Sequence, residues 1–285
     1  MNAKQWDRFI TAGLWVAGFF IIALLAIFLG YILFKGLPVL SWKFVFGASS
    51  DINAGGGVGA QLFNTFYILF LSLLVATPIA VGAGIYLAEY SARGRLADMI
   101  RLSVECLASV PSIVLGLFGM IVFISLMGFG ISLGVGAMTL ALMNLPVIVR
   151  VTEEALKTVP REYREASLAL GATKWQTISR VVLPSALPGI ITGVTLTAGR
   201  AVGETAILIF TAGTTVSRSI PDFSLSAGGE TLAVHMWYVM AIGLVPDRID
   251  KANGTAALLI LTILMFNLVL ASGTKYFRKW MTGAR

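Results

Sequence analysis

The chain of 285 residues is 57% hydrophobic and only 12% charged, whereas roughly a quarter of the residues in a soluble domain are charged. This composition excludes a water-soluble domain and predicts an all-α integral membrane protein, because a lipid-embedded backbone must satisfy its own hydrogen bonds. The net charge of +7 is better explained by basic cytoplasmic loops than by nucleic-acid binding. The single cysteine, Cys106, excludes an internal disulfide and a cysteine metal cluster.

Six segments approach the roughly 20 apolar residues that a spanning helix needs. In chain order they are residues 11–34, 62–88, 104–127, 131–150, 185–212 and 255–275. Four of these segments contain a proline, namely Pro78, Pro111, Pro146 and Pro188. Because neighbouring groups can satisfy the carbonyl that proline leaves free, we expect kinked spans rather than interrupted ones.

The distribution of lysine and arginine predicts the orientation of these spans. One set of loops and ends contains fifteen of the 21 basic residues: Lys4, Arg8, Arg93, Arg95, Arg101, Arg150, Lys157, Arg161, Arg164, Lys174, Arg180, Lys275, Arg278, Lys279 and Arg285. The opposite set contains Lys35, Lys43, Arg218, Arg248 and Lys251. Since basic residues accumulate on the cytoplasmic side, both termini are predicted to be cytoplasmic.

Two loops on the predicted outer side are long. Residues 35–61 contain the glycine run Gly55–Gly57, and residues 213–254 contain an apolar patch from Leu232 to Val245. That patch is short for a span and predicts an interfacial or dipping helix. The only histidine, His235, is expected to be an ordinary surface or packing residue.

The polar loop at residues 150–184 predicts a helix, a turn and a second helix. Pro160 suits the first turn, residues 161–170 are good helix formers, and Gly171 is placed to end the helix in a left-handed conformation. Thr173 and Gln176 resemble a capping box that starts the second helix. Leu183 and Pro184 are expected to end it.

Physical chemistry alone leaves two interpretations of the predicted helix at 161–170. It is either an amphipathic helix on the bilayer surface or a docking helix that inserts into a groove of a soluble partner. A family resemblance favours docking. Glu165, Ala166, Gly171, Leu183 and Pro184 stand at the spacing of the signature of membrane subunits of bacterial ABC importers, while Ser167 and Val181 replace its second alanine and its isoleucine.

Further motifs resemble permeases of phosphate ABC importers, above all the PstA-type subunit and then its PstC-type sister. They are Gly84–Tyr90, Val110–Gly119 and Gly199–Ala206. The resemblance implies a type I ABC importer permease with a coupling helix, divided into an N-terminal segment, 1–61, and a permease domain, 62–285. It implies ATPase docking through Arg164, Glu165, Ala166, Ser167, Leu170 and Gly171.

The same resemblance implies the assembly in which the chain works. The expected partners are a homologous PstC-type permease subunit in a heterodimer, two ATP-binding subunits and an outside phosphate-binding protein, in the bacterial cytoplasmic membrane. The chain has no Gly-x-x-x-x-Gly-Lys-Ser/Thr run, which would cradle ATP phosphates. We therefore expect no enzyme and no cofactor in this chain, with ATP and Mg²⁺ on the partner ATPase.

Two charged residues fall inside the predicted fifth span. Arg200 is expected near its middle, where a charge is costly and indicates a function. Glu204, four residues on, is expected on the same helical face, and Gly199 and Gly203 would admit a neighbouring helix. Either the two charges form a local ion pair, or Arg200 lines the phosphate pathway and Glu204 holds it when phosphate is absent.

Weaker polar candidates lie elsewhere in the spans. Asn64, Thr65 and Asn144 are expected to bond kinked backbone rather than line a pore. Glu89 and Glu105 are expected to be solvated or paired with Arg93 or Arg101.

The resemblance thus implies a subunit that forms half of the translocation pathway for ATP-driven phosphate import. Three alternatives to this function remain open from the sequence: a permease for another oxyanion such as molybdate or sulfate, a transporter driven by an ion gradient, and a membrane scaffold or sensor. A gradient-driven transporter usually has an internal repeat, which the sequence does not show. A scaffold would not need a charged pair within a span.

Overall fold

The computed structural model describes residues 3–50, 55–91, 94–216, 221–243 and 245–282, with the backbone alone at Gln5 and 274–282. Arg93, Arg218 and Arg285, which contribute to the predicted charge asymmetry, lie outside these residues. Within the described ranges the chain is helical and contains no strand, as predicted. The helices are α1 (Ala3–Gly36), α2 (Trp42–Phe46), α3 (Gly59–Ile85), α4 (Arg95–Ser109), α5 (Ser112–Gly119), α6 (Leu133–Lys157), α7 (Arg161–Ala169), α8 (Lys174–Thr177), α9 (Leu183–Val202), α10 (Ala206–Thr211), α11 (Leu232–Ala241) and α12 (Arg248–Thr282).

Five continuous helical segments of the described chain are long and apolar enough to cross a membrane. They are Trp6–Val39, Gly59–Tyr90, Leu133–Lys157, Lys174–Val202 and Arg248–Gly273. A sixth crossing results if α4 and the helix Ser112–Leu126 together form one bent span. The predicted set of six spans therefore agrees with the structure except in the shapes of the third and fifth.

The predicted third span, 104–127, is wrong as a single helix because the chain turns by 99° between α4 and α5. Pro111 lies at the turn. The ring of a proline disfavours helical backbone at the preceding residue, and Val110 accordingly has an extended ψ of 129°. The charged residues of α4, which include Arg95, Asp98 and Arg101, are thereby separated from the apolar helix that follows.

The predicted fifth span, 185–212, differs from the structure at both ends. The helix already begins at Lys174 and passes through Leu183 and Pro184, so the expected stop there is wrong. A π-helical turn at Ile178–Val182 precedes Pro184, and such a turn accommodates a residue that lacks a backbone N–H. At the far end the helix stops at Val202, and Gly203 closes its last turn by donating to the carbonyl of Arg200 at 3.2 Å.

The centre of the molecule is the contact between α3 and α6. Its core contains the buried side chains of Ile68, Leu140 and Leu208. At the α7 end, a Cβ built on Gly84 would lie 2.6 Å from the Cβ of Thr152. Only a glycine fits there, so the two helices approach each other closely, as small residues permit in membranes.

Helix α1 lies at the edge of this bundle. Its apolar window has no buried residue within the chain, and it contacts the remainder chiefly along α12, where Gly36 adjoins Ala257. Helix α11 has the opposite character, since Leu232, Ala233 and Val234 are fully buried. The predicted dipping helix therefore exists over Leu232–Ala241 and inserts into the protein, while Leu244, in the rest of the predicted patch, lies outside the described residues.

Candidate functional site

The loop between α6 and α9 folds as predicted into a helix, a tight turn and a second helix. Helix α7 covers Arg161–Ala169, and Gly171 follows it with a φ of +82°, a conformation that glycine adopts without steric cost. The Thr173 hydroxyl accepts a hydrogen bond from the Gln176 backbone, and the Gln176 side chain accepts one from the Thr173 backbone at 2.8 Å. The predicted capping box is therefore confirmed.

The six residues expected to dock an ATPase fall on two faces of this loop. Glu165, Ala166, Leu170 and Gly171 are exposed, and Leu170 exposes 89% of its surface. Ser167 and Arg164 instead turn toward the rest of the chain. The Ser167 hydroxyl lies 2.9 Å from that of Thr177, and the Arg164 side chain is only 22% exposed. The first four present a surface that a partner can reach.

Among the described residues of this loop, Arg164 makes the most side-chain hydrogen bonds. Its guanidinium donates to the Glu89 carboxylate, with the shortest distance 2.6 Å from Nη2 to Oε1. It also donates to the carbonyls of Val159 at 2.8 Å and Leu156 at 2.9 Å. The expectation that Glu89 is solvated is wrong, because its side chain is only 8% exposed, and so is its pairing with Arg101, which binds Glu153 at 2.9 Å. Arg93, the other partner expected for Glu89, lies outside the described residues.

Arg200 and Glu204 do not form the expected ion pair among the described residues. Helix α9 ends between them, so they do not share one helical face. Arg200 is exposed in the last turn of α9. Glu204 follows the break, and its Oε1 accepts a hydrogen bond of 3.4 Å from the backbone of Ile207 at the start of α10. The glutamate thus bonds to the first turn of α10, and the arginine faces outward from the chain.

Gly199 and Gly203 face α12, as expected for a glycine pair that admits a neighbour. A Cβ on Gly199 would lie 2.6 Å from Oδ1 of Asn267, and one on Gly203 would lie 3.8 Å from Ile263. Packing at this point positions the end of α9, which bears Arg200.

A buried polar cluster that was not predicted from the sequence lies at the opposite end of α3. Oε1 of Glu230 lies 2.7 Å from Nδ1 of His235 and accepts a hydrogen bond of 2.7 Å from Nε2 of Gln61. All three residues are at most 2% exposed. His235 was expected to be an ordinary surface or packing residue, but it is a buried member of a hydrogen-bonded polar cluster. A glutamate beside an apolar run and a glutamine at the start of a span are the signals that could have revealed it.

The remaining intramembrane polar residues behave differently from one another. Asn64 donates to the carbonyl of Glu230 at 3.1 Å, and the Thr65 hydroxyl accepts from the backbone of Leu232 at 3.0 Å. Both bond to backbone, as expected, but at the start of α11 rather than at a kink. Asn144 is buried and makes no side-chain hydrogen bond within the described residues.

Comparison with known proteins identifies relatives over most of the chain. The profile of the family described as "Binding-protein-dependent transport system inner membrane component" matches residues 80–283. A probable ABC transporter permease of Bacillus subtilis, YqgI, is 43% identical, over 98% of this chain and 99% of its own. The phosphate transport system permease PstA of Haemophilus influenzae is 37% identical, over 82% of this chain and 81% of its own.

Solved structures share the fold at lower identity. A bacterial alginate ABC transporter, in complex with its pentasaccharide-bound periplasmic protein, contains a chain that aligns with a TM-score of 0.70 at 16% identity, over 96% of both chains. The MetNI methionine ABC transporter in an inward-facing conformation contains another, with a TM-score of 0.60 at 24% identity over 77% of this chain and 94% of its own.

Proposed function

The chain belongs to the family of inner-membrane components of binding-protein-dependent transport systems, and on this premise we propose that it forms half of the pathway for ATP-driven phosphate import. It is an ABC importer permease subunit, a multi-pass membrane component and not itself an enzyme. The phosphate transport permeases among its relatives support the choice of substrate.

The observation that carries the proposal is the exposure of Arg200. Arg200 lies in the last turn of α9 rather than near the middle of the span, where it was predicted, and the planar fork of donors of its guanidinium suits a tetrahedral oxyanion. No ion pair neutralises Arg200 among the described residues, and its side chain is exposed on this chain. Arg200 would line a pathway between this chain and a homologous PstC-type subunit, so the transported phosphate would contact its guanidinium.

Binding of ATP would occur on two partner ATPases, which would also hold its Mg²⁺. Leu170 and Glu165 would contact them, because these side chains are exposed on the polar loop at residues 150–184, here called the coupling loop. An outside phosphate-binding protein would deliver the anion to the face that bears α11. With both termini in the cytoplasm, α7 lies on the ATPase side, as docking requires.

Uptake of phosphate by the complete transporter in proteoliposomes tests this function. We expect Arg200→Gln to reduce ATP-driven uptake at least tenfold while ATPase subunits still copurify, and Arg200→Lys to retain more activity because it keeps the charge. Competition by molybdate and sulfate checks selectivity. Import of one of these anions without phosphate import would overturn the assignment, and so would normal phosphate uptake by Arg200→Gln.

Docking is tested in the same preparation. We expect Glu165→Arg to lower the amount of ATPase that copurifies with the permease, since it reverses a charge on the exposed face. A matched reversal at Glu154, which is exposed on α6, should leave copurification unchanged. Equal copurification of both variants with wild type would move the contact away from α7.

A further inference from the structure

The end of α3 on the α7 side is joined to three other elements. Beyond Ile85 the helix continues as a π-helical turn, Tyr86–Tyr90. Glu89 binds Arg164 of α7, and the Tyr90 ring lies 4.5 Å from Nζ of Lys174 in α8. The carbonyl of Leu87 accepts from Arg101 of α4 at 3.2 Å. Turns of this kind are often found at functional sites, and here one meets both helices of the coupling loop.

Helix α7 depends on polar contacts for its position. It has nine residues, none of them buried, so no fully buried apolar side chain anchors it within this chain. Its outward side presents Glu165, Ala166 and Ala169, which are exposed. Its inward side presents Arg164 and Ser167. The inward polar groups therefore provide a route by which a force on the outward side reaches the spans.

The pair of Arg164 and Glu89 is suited to carry that force. The Glu89 side chain is only 8% exposed, and ion pairs withdrawn from water are stronger and more directional than surface pairs. Arg164 simultaneously donates to the carbonyls of Leu156 and Val159 at the end of α6. One guanidinium thus links α7 to both helices of the central α3–α6 contact.

We propose that Arg164 and Glu89 are positioning residues that transmit movement of the coupling loop to α3 through the turn Tyr86–Tyr90. Arg164 then acts behind the docking surface, in contrast to the docking role predicted from its sequence position. This inference rests on the proposed function, in which ATPases move α7. Movement of α7 would shift the end of α3, and the helix would convey the shift toward Gln61, roughly 40 Å away at 1.5 Å per residue.

A double-mutant cycle in the complete transporter tests the proposal. The variants are Glu89→Ala, Arg164→Ala and both together, and the control is Glu154→Ala, which removes a carboxylate from the exposed pair with Arg150 within α6. We expect the ATPases to copurify normally with all of them. Phosphate taken up per ATP hydrolysed should fall at least fivefold in Glu89→Ala and Arg164→Ala but not in the control, and the double variant should resemble Arg164→Ala.

Two outcomes of the cycle would overturn the proposal. Wild-type uptake per ATP in Glu89→Ala would show that the pair is not needed for coupling. Loss of ATPase copurification in Arg164→Ala, with additive effects in the double variant, would show that Arg164 docks the ATPase directly.

Hydrogen exchange gives a readout that is independent of the transported anion. In the assembled transporter we expect Glu89→Ala to speed exchange of amides 161–171 at least fivefold, with amides 190–200 unchanged. Unchanged exchange at 161–171 would overturn the anchoring role. If the wild type fails to import phosphate while exchange responds as expected, the substrate assignment fails and the anchor stands.

Discussion

Nδ1 of His235 lies 2.7 Å from Oε1 of Glu230, and both side chains are almost completely withdrawn from solvent. Gln61 donates to the same carboxylate oxygen, so the start of α3 is joined to the start of α11. A buried polar side chain is costly unless it has such hydrogen-bond partners. The cluster therefore fixes the outer segment to the central helices.

Removal of one partner of this cluster should destabilise the protein strongly. We expect His235→Ala to cost about 1–3 kcal/mol, the range for leaving a buried hydrogen-bonding group without its partner. The midpoint of thermal unfolding of the purified transporter measures the loss. The control is Met240→Ala, because Met240 lies on the same helix and is 57% exposed.

The double variant Glu230→Ala with His235→Ala should lose less stability than the two single variants together, because it removes both partners of one hydrogen bond. Additive losses would contradict the pairing of the two side chains.

Glu204 should tolerate replacement better than Arg200. Because Glu204 accepts only a 3.4 Å hydrogen bond from Ile207 and does not pair with Arg200, we expect Glu204→Gln to keep phosphate uptake within about threefold of wild type, equivalent to less than about 1 kcal/mol, since glutamine keeps an acceptor oxygen. Uptake in proteoliposomes checks this. A loss as large as that of Arg200→Gln would show that the two charges act together during transport.

Gly171 should accept asparagine but not valine. Its φ of +82° is strained for a residue with a Cβ, at a cost of about 1–2 kcal/mol, and a branched side chain suffers most. No atom lies within 4 Å of the position that a Cβ would take there, so the effect comes from backbone conformation alone. We expect Gly171→Val to weaken ATPase copurification and Gly171→Asn to retain it. Equal copurification of the two would contradict the role of the turn.

Gly84 should be far more sensitive to alanine than Gly82. A methyl group at Gly84 would overlap Thr152 and approach the carbonyl of Val149 to 3.0 Å, and overpacking of this kind costs about 1–3 kcal/mol. Gly82 has no neighbour within 4 Å, so alanine there should be neutral. Thermal unfolding of the two variants makes the comparison, and equal midpoints would contradict the close α3–α6 contact.

The amino-acid sequence by itself determined the helical membrane character, the coupling loop and its turn. These features depend on local chemistry: apolar length for the spans, a left-handed glycine at position 171, and the reciprocal bonds of Thr173 and Gln176. The 99° turn at Pro111 and the helix end at Val202 went unpredicted, because hydropathy registers apolar length and does not register a change of direction.

Tertiary structure alone decided which distant polar groups meet. Glu89 and Arg164 are 75 positions apart, and Gln61 and Glu230 are 169 apart. Such pairs form only when α3, α6 and the loops pack together, and no periodicity along the chain records them. Arg200 and Glu204 are the converse case, because they are close in the sequence but do not meet. Residues four positions apart share a face of an unbroken helix, and the end of α9 at Val202 separates these two.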